Sequence, residues 1–223
     1  VSRNNAGLSA GRIITEALKI IDGRGLSGLT MRRLGDALQV EAMAIYHHFP
    51  LGKDQLYAAI VEHITDTTRP VDGDAPAAGA AEEEAAPRDE EPGDDRPWQE
   101  RLRSWAEEYR ARLLRHSGAL PLIVHRKPDS ASALRSLEAH YAAFEEAGLD
   151  RDAIARAAAA LDAYVTGAVI HQVRAEGRPG PAPASLDARH PHLAELGDPA
   201  PDYDAWFLDG LEALLAGLRL RFG

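Results

Sequence analysis

Residues 28–56 read GLTMRRLGDALQVEAMAIYHHFPLGKDQL. Thr30 stands before an octet in which Met31, Leu34 and Leu38 recur at helical spacing, and its hydroxyl can take a free N–H of the first turn. Three residues, Gln39, Val40 and Glu41, then separate this helix from a second one, Ala42 to His48. That second helix must end by Pro50, whose ring cannot continue it. Ile45 and Phe49, four apart, form an inward edge, leaving Ala42, Met43, Tyr46 and His47 on the outer side. Two short helices joined by so tight a turn make a helix-turn-helix, whose second helix enters a major groove.

The neighbouring sequence completes a small helical head over residues 8–66. Ser9 is positioned to cap a helix whose Ile13, Ile14, Ala17, Leu18 and Ile21 share one face, with Gly23 or Gly25 as its stop. A fourth helix starts near Lys53 and turns Leu56, Tyr57, Ile60 and Ile64 inward. From Trp98 onward the pattern is helical again: WQERLRSWAEEYRARLLRH, SALRSLEAHYAAFEEAG and DRDAIARAAAALDAYVTGAVIHQVRAEG, then a Pro-rich loop from about Gly177 to Pro201, then DYDAWFLDGLEALLAGLRLRF. No strand pattern or βαβ alternation occurs. The expected class is all-α: a helix-turn-helix head over residues 1–68, an acidic disordered linker over 69–97, and a helical body over 98–223.

The overall charge opposes nucleic acid, because the 223-residue chain carries a net −10. Between Asp72 and Asp95, however, ten acids face Arg88 alone, a local net of −9. Residues 1–70 hold eight Lys and Arg against seven Asp and Glu, with the cations near the suspect helix. Local charge, not the overall balance, governs such a contact. The acidic stretch reads as a solvated tether; a sharper possibility is that it competes with DNA for the head.

The absence of Cys removes disulfides and thiolate metal sites. His47 and His48 do not make a metal pair either, since adjacent helical positions point apart. No uninterrupted apolar run of about 18 residues and no secretory leader is evident, so a cytoplasmic chain without membrane contact is expected. There is no P-loop, Gly-x-Gly-x-x-Gly, His-Glu-x-x-His or Gly-x-Ser-x-Gly motif, and neither catalysis nor a metal or cofactor is called for.

The stretch from Gly28 to Leu56 resembles the DNA-binding domain of TetR-family transcriptional regulators, and the likeness covers residues 8–66. The family pattern runs Gly-Leu-Thr, Leu-Ala, Gly-Val, then Leu-Tyr-x-His-Phe-x-x-Lys-x-x-Leu. Two departures stand out: Gln39 replaces the common turn Gly, and PLGK places one extra residue before Lys53. The body more weakly resembles the tetracycline-repressor class, in which two helices of each subunit build a dimer interface and a central cavity binds an inducer. What the resemblance implies is a homodimeric, ligand-responsive regulator, in the main a repressor leaving a palindromic double-stranded operator when a small apolar or drug-like inducer binds. The alternative is an activator or architectural DNA-binding protein with no ligand.

Roles follow residue by residue. The resemblance assigns Tyr46 to a phosphate and Lys53 to another at the start of the fourth helix, where free N–H groups also favour an anion. Thr30 combines capping with a backbone N–H on phosphate. Arg32 or Arg33 reaches the backbone or a base edge, and Ala42, Met43 and His47 are the expected base readers. His48 either bonds a phosphate or supports the turn. In the body, Trp105, Tyr109, His140, Phe144, Tyr164 and His171 are the candidate ligand contacts, with ordinary core packing as the competing reading. Gly167, Leu211, Leu214, Leu215 and Leu218 are the expected dimer interface, because the apolar stripe of the last helix is broad and Gly210 and Gly217 permit close approach.

Overall fold

The computed structural model describes residues 7–67, 94–125, 130–177, 191–192 and 201–222. Among them the ordered elements are helices: α1 (Ala10–Arg24), α2 (Met31–Leu38), α3 (Ala42–His48), α4 (Lys53–Thr65), α5 (Trp98–Arg115), α6 (Leu120–His125), α7 (Ala131–Glu146), α8 (Arg151–Gly177) and α9 (Tyr203–Phe222), with short 3-10 turns at Leu26–Gly28 and Ser117–Ala119. The all-α expectation is met. The acidic stretch expected as a linker falls almost wholly outside the described residues, as does most of the Pro-rich loop.

The head is assembled from local chemistry. Ser9 Oγ accepts from the Arg12 amide at 3.2 Å, and Gly25, with φ of +70°, ends α1. Thr30 Oγ1 accepts from the Arg33 amide at 3.1 Å and starts α2. Ile13, Ile21, Leu34, Ile45, Leu56 and Ile60 are fully enclosed and hold α1 to α4 together. Each such aliphatic side chain contributes about 2 kcal/mol on burial.

The body is organised around α8, which lies against α5, α7 and α9. By length and composition alone α8 is long and apolar enough to cross a membrane, although Arg156 and Asp162 interrupt its apolar run. In the fold its Ile154, Leu161, Val165 and Val169 are buried in the bundle core. Charged side chains tie the periphery. Arg110 of α5 donates to Asp204 at 2.7 Å and to Gln172 at 2.7 Å, and lies over the Phe207 ring. Arg101 pairs with Glu146 and Arg103 with Glu212.

Head and body meet in tight contact. The turn at Ser117–Ala119 presses on the end of α1 so closely that a Cβ on Gly118 would lie 2.6 Å from the Ile21 carbonyl oxygen. Beside it, His116 Nδ1 lies 2.9 Å from Asp22 Oδ2, and Arg112 Nη1 donates to the His63 carbonyl of α4 at 3.5 Å. Gly118→Ala is therefore expected to lower the unfolding free energy by about 1–3 kcal/mol. Gly23→Ala in α1, whose new Cβ meets nothing within 4 Å, is expected to leave it unchanged or raise it by up to about 1 kcal/mol. Urea unfolding followed by circular dichroism measures both.

Candidate nucleic-acid interface and ligand cavity

The helix-turn-helix is closed by an unusual turn. Gln39 takes φ of +61°, the left-handed region that a Gly adopts at no steric cost, and its amide returns to the Asp36 carbonyl. Val40 is buried at the corner, and its carbonyl lies 3.0 Å from where a Cβ on Gly35 would sit, so α2 and the turn nearly touch. With Ile45 and Phe49 buried, α3 presents Met43 at 67% exposure, and Tyr46, His47 and His48 are also exposed, while Ala42 is partly covered.

The extra residue before Lys53 is absorbed in a turn. The Gly52 amide donates to the Phe49 carbonyl at 2.8 Å, and the Leu51 amide donates to Gln55 Oε1 at 3.0 Å. Gly52 adopts φ of +71° and passes beneath Tyr46, whose Cε1 would be 3.3 Å from an added Cβ. Lys53 thus remains the first residue of α4, exposed, with its ammonium 5.1 Å from the Tyr57 ring centre. Tyr46 and the N-terminal turn of α4 are brought together. Of the two arginines, Arg32 is exposed, whereas the Arg33 guanidinium folds back onto the Gly28 carbonyl.

In the body, a cavity of about 670 Å³ opens between α4, α5, α6, α7 and α8. Its size falls in the range of small-molecule sites, roughly 300–1,000 Å³. Trp105, Tyr109 and His140 line it, as the sequence reading expected. Three other candidates lie elsewhere. Phe144 continues the same stripe of α7 one turn past His140 but is fully enclosed in the core and does not line the cavity. Tyr164 turns toward α9, stacking on Phe207 and donating to the Phe207 carbonyl at 2.7 Å. His171 is exposed and stands edge-on to Tyr203 at 6.3 Å. Gly167, expected between subunits, lines the cavity instead.

The dimer candidates on α9 also need correction. Leu211, Leu215 and Leu218 are buried within the chain itself, and Leu214 is partly covered. Gly210 accommodates the Tyr164 hydroxyl, which would lie 2.3 Å from an added Cβ. The outward face of α9 instead carries Trp206, Ala213, Gly217 and Leu220, with Leu220 90% exposed.

The sequence reading also missed much of the wall. One face of α8 supplies Ala155, Ala158, Ala159, Asp162, Ala163 and Thr166, a series at spacings of one, three and four that marks a helix leaving space rather than filling it. Val61 and Thr65 reach the wall from α4, so a head helix borders the cavity. Burial holds the Tyr109 hydroxyl well above its usual range, with the nearby Asp162 charge adding to it and Thr166 acting against it. Burial raises Asp162 as well, and pushes His140 down to about 4. Trp105 and His140 meet edge to face at 4.1 Å, and neither Trp105 Nε1 nor His140 Nε2 has a hydrogen-bond partner among the described residues.

Residues 13–60 match the family model for "Bacterial regulatory proteins, tetR family", and residues 90–222 match that for "Tetracyclin repressor-like, C-terminal domain". The chain belongs to the tetR family. An HTH-type transcriptional regulator of Saccharopolyspora erythraea is 29% identical over all of this chain and 89% of its own length. The HTH-type transcriptional repressor DrrR1 of Streptomyces coeruleorubidus is 28% identical over 95% of this chain and 80% of its own. The crystal structure of apo ActR from Streptomyces coelicolor superposes with a TM-score of 0.70 at 25% identity, covering 97% of both chains, and ActR is also known in complex with (S)-DNPA. This tetR-family chain is a ligand-responsive, DNA-binding transcriptional regulator of the repressor type, in a family that is regulatory rather than enzymatic.

The buried imidazole gives the regulator a pH signature. An unfolded chain protonates this His near 6.5, the folded one only near 4. Stability from neutral His140 is thus complete above pH 6.5 and is lost as pH falls toward 4, by an amount on the order of 3 kcal/mol. His140→Leu is expected to flatten that part of the stability–pH curve, measured by urea unfolding between pH 7 and 4.

Proposed function

We propose that the chain acts in the cytoplasm as a homodimeric repressor that holds a palindromic operator and leaves it when a small, largely apolar molecule fills the body cavity. The observation that carries this reading is α4. Its first residue, Lys53, follows the Gly52 that packs against Tyr46 at the DNA face, while Val61 and Thr65 near its other end border the cavity. A ligand pressing on that wall acts on the helix that positions the head. The tight seat of Gly118 on α1 leaves little slack for the head to stay behind.

On the DNA side, α3 enters the major groove. Ala42, Met43 and His47 meet base edges there; Met43 suits a thymine methyl and His47 an N7 or O6 acceptor. Tyr46, Lys53 and the Thr30 amide take phosphates and set the register. Arg32 is the freer arginine for the backbone, and Arg33, tied to Gly28, braces the start of α2. His48 lies exposed next to Phe49 and is assigned to phosphate.

One seven-residue recognition helix gives weak binding, so two heads are needed, and two-fold pairing matches a palindrome. The surface assigned to pairing is the outward face of α9, where Ala213 and Gly217 admit close approach between Trp206 and Leu220. A coupling of roughly 1–3 kcal/mol between cavity and operator would release DNA by about 5–150-fold.

The deciding experiment is fluorescence anisotropy of the protein with DNA flanking its own gene, across a range of salt. Tyr46→Ala is expected to weaken every bound sequence by a similar factor, about tenfold, with the helical spectrum retained. Unchanged affinity would remove Tyr46 from the interface. Trp206→Asp with Leu220→Asp is expected to yield a folded monomer by sedimentation and to reduce operator affinity at least as much. A dimer that survives both changes would move the interface elsewhere.

A further inference from the structure

The wall contributed by α8 is made of small side chains interrupted by one carboxylate. Ala155, Ala158, Ala159, Ala163 and Thr166 leave room, and Asp162 stands among them. The rings of Trp105 and Tyr109, tilted by 31° with centroids 5.1 Å apart, line the same cavity, and Tyr109 lies beside Thr166 of that wall. Among the described residues no Lys or Arg lines this cavity. His140 adds no positive charge at neutral pH, because burial holds it uncharged down to about 4. A bound anion would therefore meet a carboxylate with no cation on the described wall to offset it.

Resting on the ligand-responsive reading above, we propose that the cavity selects a planar aromatic molecule carrying a protonated amine, its rings against Trp105 and Tyr109 and its ammonium on Asp162. The aromatic pair supplies area and favours positive charge over its faces. The carboxylate supplies the sign. Asp162 is exposed at the cavity mouth, with partial desolvation raising its pKa, and an ammonium beside it favours the ionised form. Tyr109 and Thr166 flank the carboxylate and limit where the amine can sit.

Three probes of one shape isolate the charge: 9-(aminomethyl)anthracene, 9-anthracenemethanol and 9-anthracenecarboxylate, measured by equilibrium dialysis against the full-length protein at pH 7. The amine is expected to bind tightest and the carboxylate weakest, with about tenfold or more between them. In Asp162→Asn the amine is expected to fall to the affinity of the alcohol, while the alcohol, which reports an intact cavity, is unchanged. A carboxylate that binds as well as the amine overturns the assignment, as does an amine preference that survives Asp162→Asn. Ala159→Phe, which fills the cavity, is expected to abolish binding of all three. If instead all three still bind that variant, the cavity itself is not the ligand site and the broader reading falls with the proposal. If none binds the wild type, the aromatic-amine class is excluded. Loss of the dimer in Asp162→Asn with unchanged probe affinities would make Asp162 an interface residue and overturn its ligand role.

Discussion

A single thirteen-residue helix, α4, is packed into two different problems at once. Its buried Leu56, Ile60, Val61 and Ile64 belong to the core that holds the helix-turn-helix together. Its last two turns also close one side of the body cavity through Val61 and Thr65. A helix is stiff along its axis, so a displacement at one end is carried to the other instead of being absorbed between them. Everything else at the junction adds rigidity. Gly118 is seated against α1 backbone with no room for a side chain, and Arg112 reaches the last turn of α4. The fold thus leaves the head few ways to respond to the body except by moving as a unit.

Much of the head was legible because several local signals agreed. Ser9 and Thr30 were read as caps from residue type alone, and both accept the expected amide. The division of α3 into buried Ile45 and Phe49 and an exposed Met43–Tyr46–His47 face follows from spacing. The departures from the family pattern were legible too, although their consequence was not. Gln39 pays for its left-handed backbone in strain, while the added residue before Lys53 disappears into a turn made possible by Gly52. The second outcome could not be deduced without knowing where Tyr46 lies.

The body was harder for identifiable reasons. Helix α6 has six residues and contains Pro121 in its first turn, which Pro tolerates, but so short an element shows no period. In α9 the leucines at 211, 215 and 218 mark the side that faces α5 and α8, whereas the surface left open is marked by small residues flanked by Trp206 and Leu220. A broad apolar stripe says that two faces are apolar without saying which one meets the same chain. Phe144 fails as a ligand contact for the same reason: aromatic character identifies a bulky side chain, not the wall it belongs to. The informative signal for the cavity was the opposite of bulk, the run of alanines around Asp162.

That run also bears on why the body is built as it is. A helix with Leu or Ile at positions 155, 158, 159 and 163 would fill the cavity, and each added side chain would bury apolar area worth about 2 kcal/mol. Alanine forgoes that gain, and α5, α7 and α8 are joined through buried residues such as Leu102, Leu113, Ala143, Leu161 and Val165. A molecule occupying the space restores part of the missing contact, and any state that binds it better is stabilised by RT ln(1 + [L]/Kd). The arrangement of the head at that moment decides whether the gain opposes DNA. In the proposed mechanism α4 is the helix whose position differs between the state favoured by ligand and the state favoured by operator, and each binding event then works against the other to the same extent.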